Sequence, residues 1–297
     1  MERPTDPVTA SYERHLRLAE LSAFTILNYR ISIDKVSRFI DAPAHTATTL
    51  QLEELFASWI DRYAATTRQQ TWINLRVFYL WCMRRGFIAS NPLTEIPKSS
   101  VQDVPPRVLT LEQLRLLVAA CKGRTLADRR DEAIIRCMSE PGGMRATEVR
   151  LIKNVDIDWV NQLVEVSGKT GSRLISLSDR TMDAMERYVA IRDRHRYAQS
   201  PWFWLTGRRD SKGMSRRALG EMVDRRAHKA GIGHVEPKEI RHTAADRALS
   251  AGMNVADMNR TFGWAASSTM AGEVYGRARA TQRALDAARA TGMGDKI

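Results

Sequence analysis

The sequence predicts a mainly α-helical protein of two domains, the second of which also contains a small antiparallel β-sheet. Three observations lead to this fold class. Apolar residues recur at helical spacing through the first 90 residues, a proline-rich segment follows, and one stretch of the second half alternates apolar and polar residues around two glycines. A chain of 297 residues is long enough for each domain to bury its own core.

The N-terminal domain, residues 1–90, is predicted to be a four-helix bundle. Its apolar residues recur every three or four positions in four separate segments, and four such helices are enough to form a small bundle. The predicted helices cover 8–20, 25–40, 52–63 and 67–87.

Residues 91–107 are predicted to be an interdomain linker. The segment NPLTEIPKSSVQDVPPR holds four of the ten prolines of the chain and few large apolar residues. Proline lacks a backbone donor and restricts the residue before it, so a helix cannot continue through this segment.

The second domain, residues 108–297, is predicted to be mostly helical. Thr110 and Gln113 fit a capping box, in which each side chain bonds the backbone of the other at a helix start. Further helices are predicted at 126–139, 145–152, 179–195, 215–230, 239–251, 254–262 and 279–290. The alternating stretch 155–177 predicts a β-hairpin with Lys169 at its turn.

The charge distribution indicates an anionic partner. Residues 1–103 carry 12 Lys and Arg against 11 Asp and Glu, whereas residues 104–297 carry 34 against 23, so the second half holds almost all of the net charge of +12. Nucleic acid is the commonest partner of a domain this basic, although a solvated basic surface has the same composition.

Composition argues against several other classes of protein. With 43% hydrophobic and 27% charged residues, the chain is globular rather than disordered. The apolar run 77–82 is too short to cross a membrane and the first residues lack a signal peptide, so we expect a cytoplasmic protein. Cys82, Cys121 and Cys137 stand singly within helical patterns, which indicates buried thiols and no metal site.

Two arginines and one tyrosine are candidates for chemistry on a phosphate. Arg145 and Arg241 stand near predicted helix starts beside glycine or proline, and a planar guanidinium matches the two non-bridging oxygens of a phosphodiester. Either could equally be a surface or nucleic-acid contact. Tyr275 has small and polar neighbours, which suits a mobile nucleophile but leaves packing at the edge of a core open.

Taken in order, these motifs resemble those of the tyrosine recombinase, or phage integrase, family. The resemblance is carried by GMRATEV (first arginine box), SGKTG (hairpin lysine), PKEIRHT (second arginine box), FGWAASS (histidine or tryptophan segment) and VYGRA (tyrosine). TILNYRISIDKVSRFI and INLRVFYLWCMRRGFIASNPLTEIP resemble the family's SAM-like core-binding domain, so the resemblance covers nearly the whole chain.

The resemblance implies a site-specific DNA recombinase that cleaves and rejoins strands through a 3′-phosphotyrosyl intermediate, without a cofactor or metal. The implied catalytic residues are Arg145, Lys169, Lys238, Arg241, Trp264 and Tyr275. Glu148 is expected to support the first arginine, and His242 to bond backbone or a carboxylate beside the site.

The chain departs from the family pattern at two points. Lys238 occupies a position where histidine is usual, and Trp264 and Tyr275 are 11 positions apart where nine is common. Because an indole is a donor only, Trp264 cannot accept a proton. The longer loop affects the expected geometry before Tyr275 more than the identity of the nucleophile.

The implied partner is double-stranded DNA at specific sites, bound by a homotetramer on two duplexes, with an accessory factor setting direction. The candidate DNA contacts are Arg68, Gln69, Thr71 and Asn74, on the polar side of the fourth helix. A solvated helix face explains those four residues equally well. The tail RARATQRALDAARATGMG is expected to dock on a neighbouring protomer.

Several functions remain open. Few residues precede the first helix, so we expect the simple two-domain type without an arm-binding domain. That type includes phage integrases, which the two departures favour, and Xer-like recombinases of chromosome resolution. A non-catalytic DNA-binding regulator and a topoisomerase-like nicking-closing enzyme are the alternatives.

Overall fold

The protein is mainly helical, as predicted, and its helices fall into two units, Met1–Asp103 and Val104–Ile297. The computed structural model describes residues 6–101, 106–168, 171–206 and 213–275, together with 284–285 and 288–289; at 274 and 275 it describes the backbone alone. The helix predicted at 279–290 therefore lies mostly outside the described residues.

The first unit is the predicted four-helix bundle. Its helices are α1 (Pro7–Leu18), α2 (Ala23–Ile40), α3 (Thr49–Ala57) and α4 (Ala65–Arg84). Polar caps set three of the starts, because Asp6, Ser22 and Thr48 each accept a hydrogen bond from a backbone N–H of the first turn. The core contains side chains that the helical spacing predicted, among them Tyr12, Ile33, Leu55, Phe78 and Tyr79.

The first part of the predicted linker belongs to this bundle, which corrects the boundary at residue 90. Leu93 and Ile96 are buried in the bundle core. The indole of Trp72 donates to the Ile96 carbonyl (3.0 Å), and the Gln69 amide donates to the Ser99 carbonyl (3.2 Å). Two apolar residues between prolines are enough to fix this segment on α4.

Thr71 and Asn74 do not lie on a solvent-facing side of α4, so the expectation that they contact DNA is corrected. Asn74 is buried and its amide donates to the Ser32 hydroxyl (2.9 Å), linking α4 to α2. Thr71 is also buried and donates to the Thr67 carbonyl of its own helix (2.9 Å). A helix packed on more than one side needs hydrogen bonds for its buried polar groups, and these two residues supply them.

The second unit is a helical domain. Its α-helices within the described residues are α5 (Leu111–Ala119), α6 (Leu126–Ser139), α7 (Ala146–Val149), α8 (Asp179–Arg192), α9 (Arg216–Lys229), α10 (Pro237–Ser250) and α11 (Val255–Phe262). This unit has a large hydrophobic core and a smaller cluster of buried residues between α10, α11 and Ala271. The predicted capping box of Thr110 and Gln113 begins α5. The single turn α7 is shorter than predicted, and the indole of Trp204 donates to its terminal carbonyl at Val149 (2.7 Å).

The predicted hairpin is present as part of a three-stranded antiparallel sheet. Its strands are β1 (Ile157–Asp158), β2 (Leu163–Gly168) and β3 (Gly171–Ser176), in that order. Val166 lies opposite Arg173, and Gly168 opposite Gly171 at the turn. Val164, Val166 and Ile175 are buried in the domain core, which fixes the register of the hairpin.

The three cysteines are buried, as predicted. Burial raises the pKa of the Cys82 and Cys121 thiols to about 12, and that of Cys137 further still. These thiols therefore stay protonated at neutral pH and serve as apolar packing groups.

Candidate active site

The candidate active site is built around the C-terminal end of α11. Three consecutive backbone carbonyls there each accept a hydrogen bond from a different arginine. Arg173 Nε donates to Thr261 (2.9 Å), Arg241 Nη2 to Phe262 (2.7 Å) and Arg145 Nη2 to Gly263 (2.7 Å). The last carbonyls of a helix have no partner within the helix and carry the negative end of its dipole, so this helix end gathers cations.

Gly263 makes this arrangement sterically possible. It ends α11 in the left-handed conformation, with φ of 62°. A Cβ at this position would lie 3.1 Å from Arg173 Nη1 and 3.3 Å from Arg145 Nη1. Glycine is therefore favoured both by the backbone angle and by the close approach of two guanidinium groups.

Arg145 is positioned by the residue three places after it. As the N-cap of α7, Arg145 donates from its backbone N–H to Glu148 Oε2 (2.6 Å), while its Nη1 donates to Glu148 Oε1 (2.6 Å). The side chain remains 29% exposed. Glu148 and the Gly263 carbonyl thus hold Arg145 in place while part of its side chain stays open to solvent.

Arg241 is fixed more deeply, with only 8% of its side chain exposed. It donates to the carbonyls of Gly143 and Phe262. Its guanidinium carbon lies 5.5 Å from the ring centroid of Phe262 and 5.8 Å from that of Trp264, which stack on each other at 5.0 Å. Two aromatic faces beside a buried cation stabilise its charge and fix its plane.

Sequence reasoning missed Arg173, which donates to both oxygens of Glu148 at 2.6 and 2.9 Å. The signal that could have found it is strand periodicity. Arg173 is two residues before Ile175, which is buried, so both side chains point to the same face of β3. An arginine on the inner face of a strand needs an acidic partner.

Glu148 is the anion that holds these cations together. Its side chain is fully buried, and burial alone would raise the pKa of its carboxyl group. Hydrogen bonds from Arg173 and from the backbone and side chain of Arg145 outweigh burial and lower that pKa. Arg241 Nη1 also lies 3.9 Å from Glu148 Oε2, so one negative charge faces three positive charges and leaves the site cationic.

Lys238 and His242 lie one turn apart at the start of α10. Lys238 lines, with Arg145 and Arg241, a cleft of about 650 Å³ that also reaches α9. Its side chain is 67% exposed, and its Nζ lies 2.6 Å from Glu236 Oε2. The pKa of His242 is lowered by burial and by the positive charges of Lys238 and Arg241, so its ring is neutral at pH 7.

The loop between Trp264 and Tyr275 is tied back by Asn259, which sequence reasoning also missed. The buried side-chain amide of Asn259 donates to the carbonyls of Ala266 and Ser268 (both 3.1 Å), and the backbone carbonyl of Asn259 accepts from the backbone N–H of Trp264 (2.8 Å). The chain then forms a π-helical turn, Ala271–Tyr275, with Ala271 buried. The side chain of Tyr275 lies outside the described part of the chain.

The structure thus brings Arg145, Arg241, Glu148, Lys238 and Trp264 into one region of the second unit. Lys169, which stands between Gly168 and Gly171 in the sequence, lies outside the described residues. Arg68 and Gln69 belong to the first unit, where Gln69 is held by the Ser99 carbonyl.

Within the described ranges, no helix is both long enough and apolar enough to span a membrane. Within the same ranges, His, Cys, Asp and Glu side chains form no group of three or more that could hold a metal ion.

Known proteins share both the sequence pattern and the fold. The model of the Phage integrase family matches residues 107–281. Tyrosine recombinase XerC of Corynebacterium efficiens is 28% identical over 273 residues, 89% of this chain and 84% of the relative. A post-cleavage complex of XerH recombinase with its difH substrate matches at a TM-score of 0.72 and 15% identity, over 89% of this chain and 79% of that one. A lambda integrase tetramer on a Holliday junction matches at a TM-score of 0.69 and 18% identity, over 90% of this chain and 76% of that one.

A helical bundle followed by a helical domain with a small sheet is a tyrosine recombinase fold, which these solved structures share. With more than half of its length matched by the family model, the chain belongs to the phage integrase family, the tyrosine-type site-specific DNA recombinases.

Proposed function

We propose that this chain cleaves and rejoins double-stranded DNA at specific sites, with Tyr275 as the nucleophile. The Tyr275 phenol loses its proton to water, and the phenolate oxygen attacks the scissile phosphorus and forms a 3′-phosphotyrosyl bond, while the bond from phosphorus to the 5′-oxygen breaks. The leaving 5′-oxygen takes a proton from Lys169 and becomes a hydroxyl. A 5′-hydroxyl of another strand then reverses the step, so bond energy is conserved and no external energy source enters.

The observation that carries this proposal is the pairing of Arg145 and Arg241 at the end of α11. Both guanidiniums are held by neighbouring carbonyls, and both line the same cleft. Negative charge grows on the non-bridging oxygens in the transition state, and donors fixed in advance stabilise it without reorganisation. The same positive field lowers the cost of forming the Tyr275 phenolate, since an unperturbed phenol has a pKa near 10.

Other residues of the site take supporting roles in this proposal. The exposed ammonium of Lys238 exchanges Glu236 for a phosphate oxygen when DNA binds. Trp264 holds the plane of Arg241 by stacking and offers its indole N–H to a phosphate oxygen. His242 is neutral at working pH and supports the start of α10 rather than transferring protons.

We further propose a homotetramer on two duplexes, acting in the bacterial cytoplasm with an accessory factor that sets direction. The tetrameric lambda integrase on a Holliday junction supports the assembly. The excess of 34 basic over 23 acidic residues in the second unit supports binding to DNA phosphates. Arg68 and Gln69 remain candidate contacts of the first unit.

Two biological roles fit this chemistry. Lys238 in place of histidine and the long loop before Tyr275 favour a phage integrase acting in integration and excision. The XerC relatives support an Xer-like recombinase as the second candidate. A candidate attachment site beside the gene would support the first role, and a recombination site in the chromosome the second.

The experiment that tests the proposal uses a suicide substrate. A pool of duplexes with randomised sequence and one nick is incubated with the protein, and covalent protein–DNA adducts are isolated under denaturing conditions. We expect adducts that are lost in Tyr275→Phe and retained in Tyr197→Phe, the preceding tyrosine in the chain. Adducts that persist in Tyr275→Phe would refute the nucleophile. Binding without any adduct would instead indicate a non-catalytic regulator.

A further inference from the structure

Arg173 holds a position that its place in the sheet does not explain. A side chain on the inner face of β3 is expected to be apolar, yet Arg173 occupies that face with 11% of its side chain exposed. Burying a guanidinium is costly unless its donors are satisfied. The contacts that satisfy it lie in the segment around Arg145 and at the end of α11, where carbonyls also accept from Arg145 and Arg241.

The contacts of Arg173 join three separate segments. Its two terminal nitrogens donate hydrogen bonds to the two carboxylate oxygens of Glu148, at 2.6 and 2.9 Å. Its Nε donates to Thr261 at the end of α11 (2.9 Å), and its Nη2 also donates to the Gly142 carbonyl (3.1 Å), in the turn that leads to Arg145.

We call Arg145 and Arg241 together the phosphate clamp. These contacts place Arg173 behind the clamp and outside the lining of the cleft. Arg173 is not among the residues that line the cleft, whereas Arg145 and Arg241 are. Glu148 bonds Arg145 with the same carboxylate that Arg173 holds. Because a bidentate pair fixes a carboxylate in its plane, the orientation of Glu148, and through it that of Arg145, depends on Arg173.

We propose that Arg173 is a positioning residue, which acts through Glu148 to aim the Arg145 guanidinium at a non-bridging oxygen of the scissile phosphate. This inference rests on the proposed strand cleavage. Without Arg173, the buried Glu148 carboxylate retains Arg145 as its main partner and draws it inward, away from the phosphate.

The test compares two substrates. In a methylphosphonate linkage, a methyl group replaces one charged non-bridging oxygen, so the arginine that serves this oxygen is no longer needed. We expect Arg173→Met to slow cleavage of the ordinary phosphodiester by about 10²-fold, the scale of a misplaced catalytic group. We expect much of that loss to disappear on the same methylphosphonate diastereomer that restores cleavage to Arg145→Ala.

Two further variants separate positioning from folding. Arg226→Met is the matched control, because Arg226 is also a buried arginine bonded to a carboxylate. It donates to Asp131 (2.9 Å) and to the Ala120 carbonyl, and neither residue belongs to α11. Its losses should be equal on both substrates. Glu148→Gln combined with Arg173→Met should cost less than the product of the two single losses, since both act through one contact.

The inference is overturned if Arg173→Met cleaves at the normal rate, or loses the same factor on both substrates. If Arg173→Met does not fold, Arg173→Lys, which keeps one charge but cannot make the bidentate pair, is judged by the same comparison. If the unaltered chain cleaves neither substrate, the proposed function fails and not the assignment of Arg173 within the clamp.

Discussion

Arg145 and Arg241 donate to adjacent backbone carbonyls, those of Gly263 and Phe262, although one is the N-cap of α7 and the other lies within α10. The end of α11 therefore sets the spacing between the two guanidiniums before any phosphate binds. Such advance positioning is what electrostatic catalysis requires, because donors that are already oriented cost nothing to reorganise during the reaction.

The first prediction concerns Gly263. In Gly263→Ala, the new methyl group meets Arg173 and Arg145 at 3.1 to 3.3 Å and the residue must keep a φ of 62°. We expect a loss of about 1–2 kcal/mol in the free energy of unfolding. We also expect slower adduct formation, because both arginines must move. Denaturant unfolding and the rate of adduct formation measure the two effects.

Gly252 provides the matched control for this substitution. It too has a positive φ, of 89°, and a Cβ there meets nothing within 4 Å. Gly252→Ala should therefore show a comparable loss of stability with unchanged cleavage by the folded protein. Equal effects of the two variants on cleavage would refute the link between Gly263 and the arginines.

The second prediction concerns the pH dependence of stability. The pKa of Glu148 is lowered in the folded protein, because hydrogen bonds from Arg173 and Arg145 outweigh its burial. Its charge therefore contributes stability above the unfolded value, near 4.3. That contribution is lost as the pH falls through the lowered folded pKa.

Glu148→Gln tests this pH dependence. The variant should be less stable than the unaltered chain at pH 7, and the difference should shrink between pH 5 and the acid limit of folding. Thermal unfolding across that range measures it. A difference independent of pH would show that the Glu148 charge makes no contribution to stability.

Much of the fold could be predicted from local sequence signals. Helical spacing located the four helices of the bundle, and the pair Thr110 and Gln113 located the start of α5. The end of the first unit could not be predicted in this way. The prolines around Leu93 and Ile96 indicate that a helix ends, but they do not indicate that these two apolar side chains pack in the bundle core.

The candidate site was predictable only in part, for a related reason. Arg145, Glu148 and Arg241 lie in recognisable boxes near helix starts, where local sequence carries the signal. Strand periodicity indicates that Arg173 faces inward, but not that it bonds Glu148 and the Thr261 carbonyl. No residue type marks the carbonyls that Asn259 bonds as acceptors, so these partners become visible only when the chain is folded.

The third prediction separates two polar residues of α4, the buried Asn74 and the half-buried Arg68. Asn74→Ala removes the bond to Ser32 and leaves that hydroxyl without this partner. We expect a loss of about 1–3 kcal/mol in the free energy of unfolding, and unchanged DNA affinity of the folded protein. Arg68→Ala should weaken DNA binding and reduce its salt dependence. Unfolding curves measure the change in stability, and binding isotherms at two salt concentrations measure the change in DNA affinity. A selective loss of affinity in Asn74→Ala would show that Asn74 contacts DNA after all.

The last prediction concerns His242, the histidine beside Arg241. Burial and the charges of Lys238 and Arg241 lower its pKa, so it is neutral through the physiological range and would have to gain a proton against two cations. A residue acting as general acid or base is worth 10²–10⁴-fold in rate. We expect His242→Gln to lose far less than this, and its cleavage rate to follow the same pH profile as that of the unaltered chain. Lys238→Gln, which removes an exposed cation of the cleft, should lose more. A variant His242→Gln that folds and binds DNA but forms no adduct would give His242 a direct part in the chemistry.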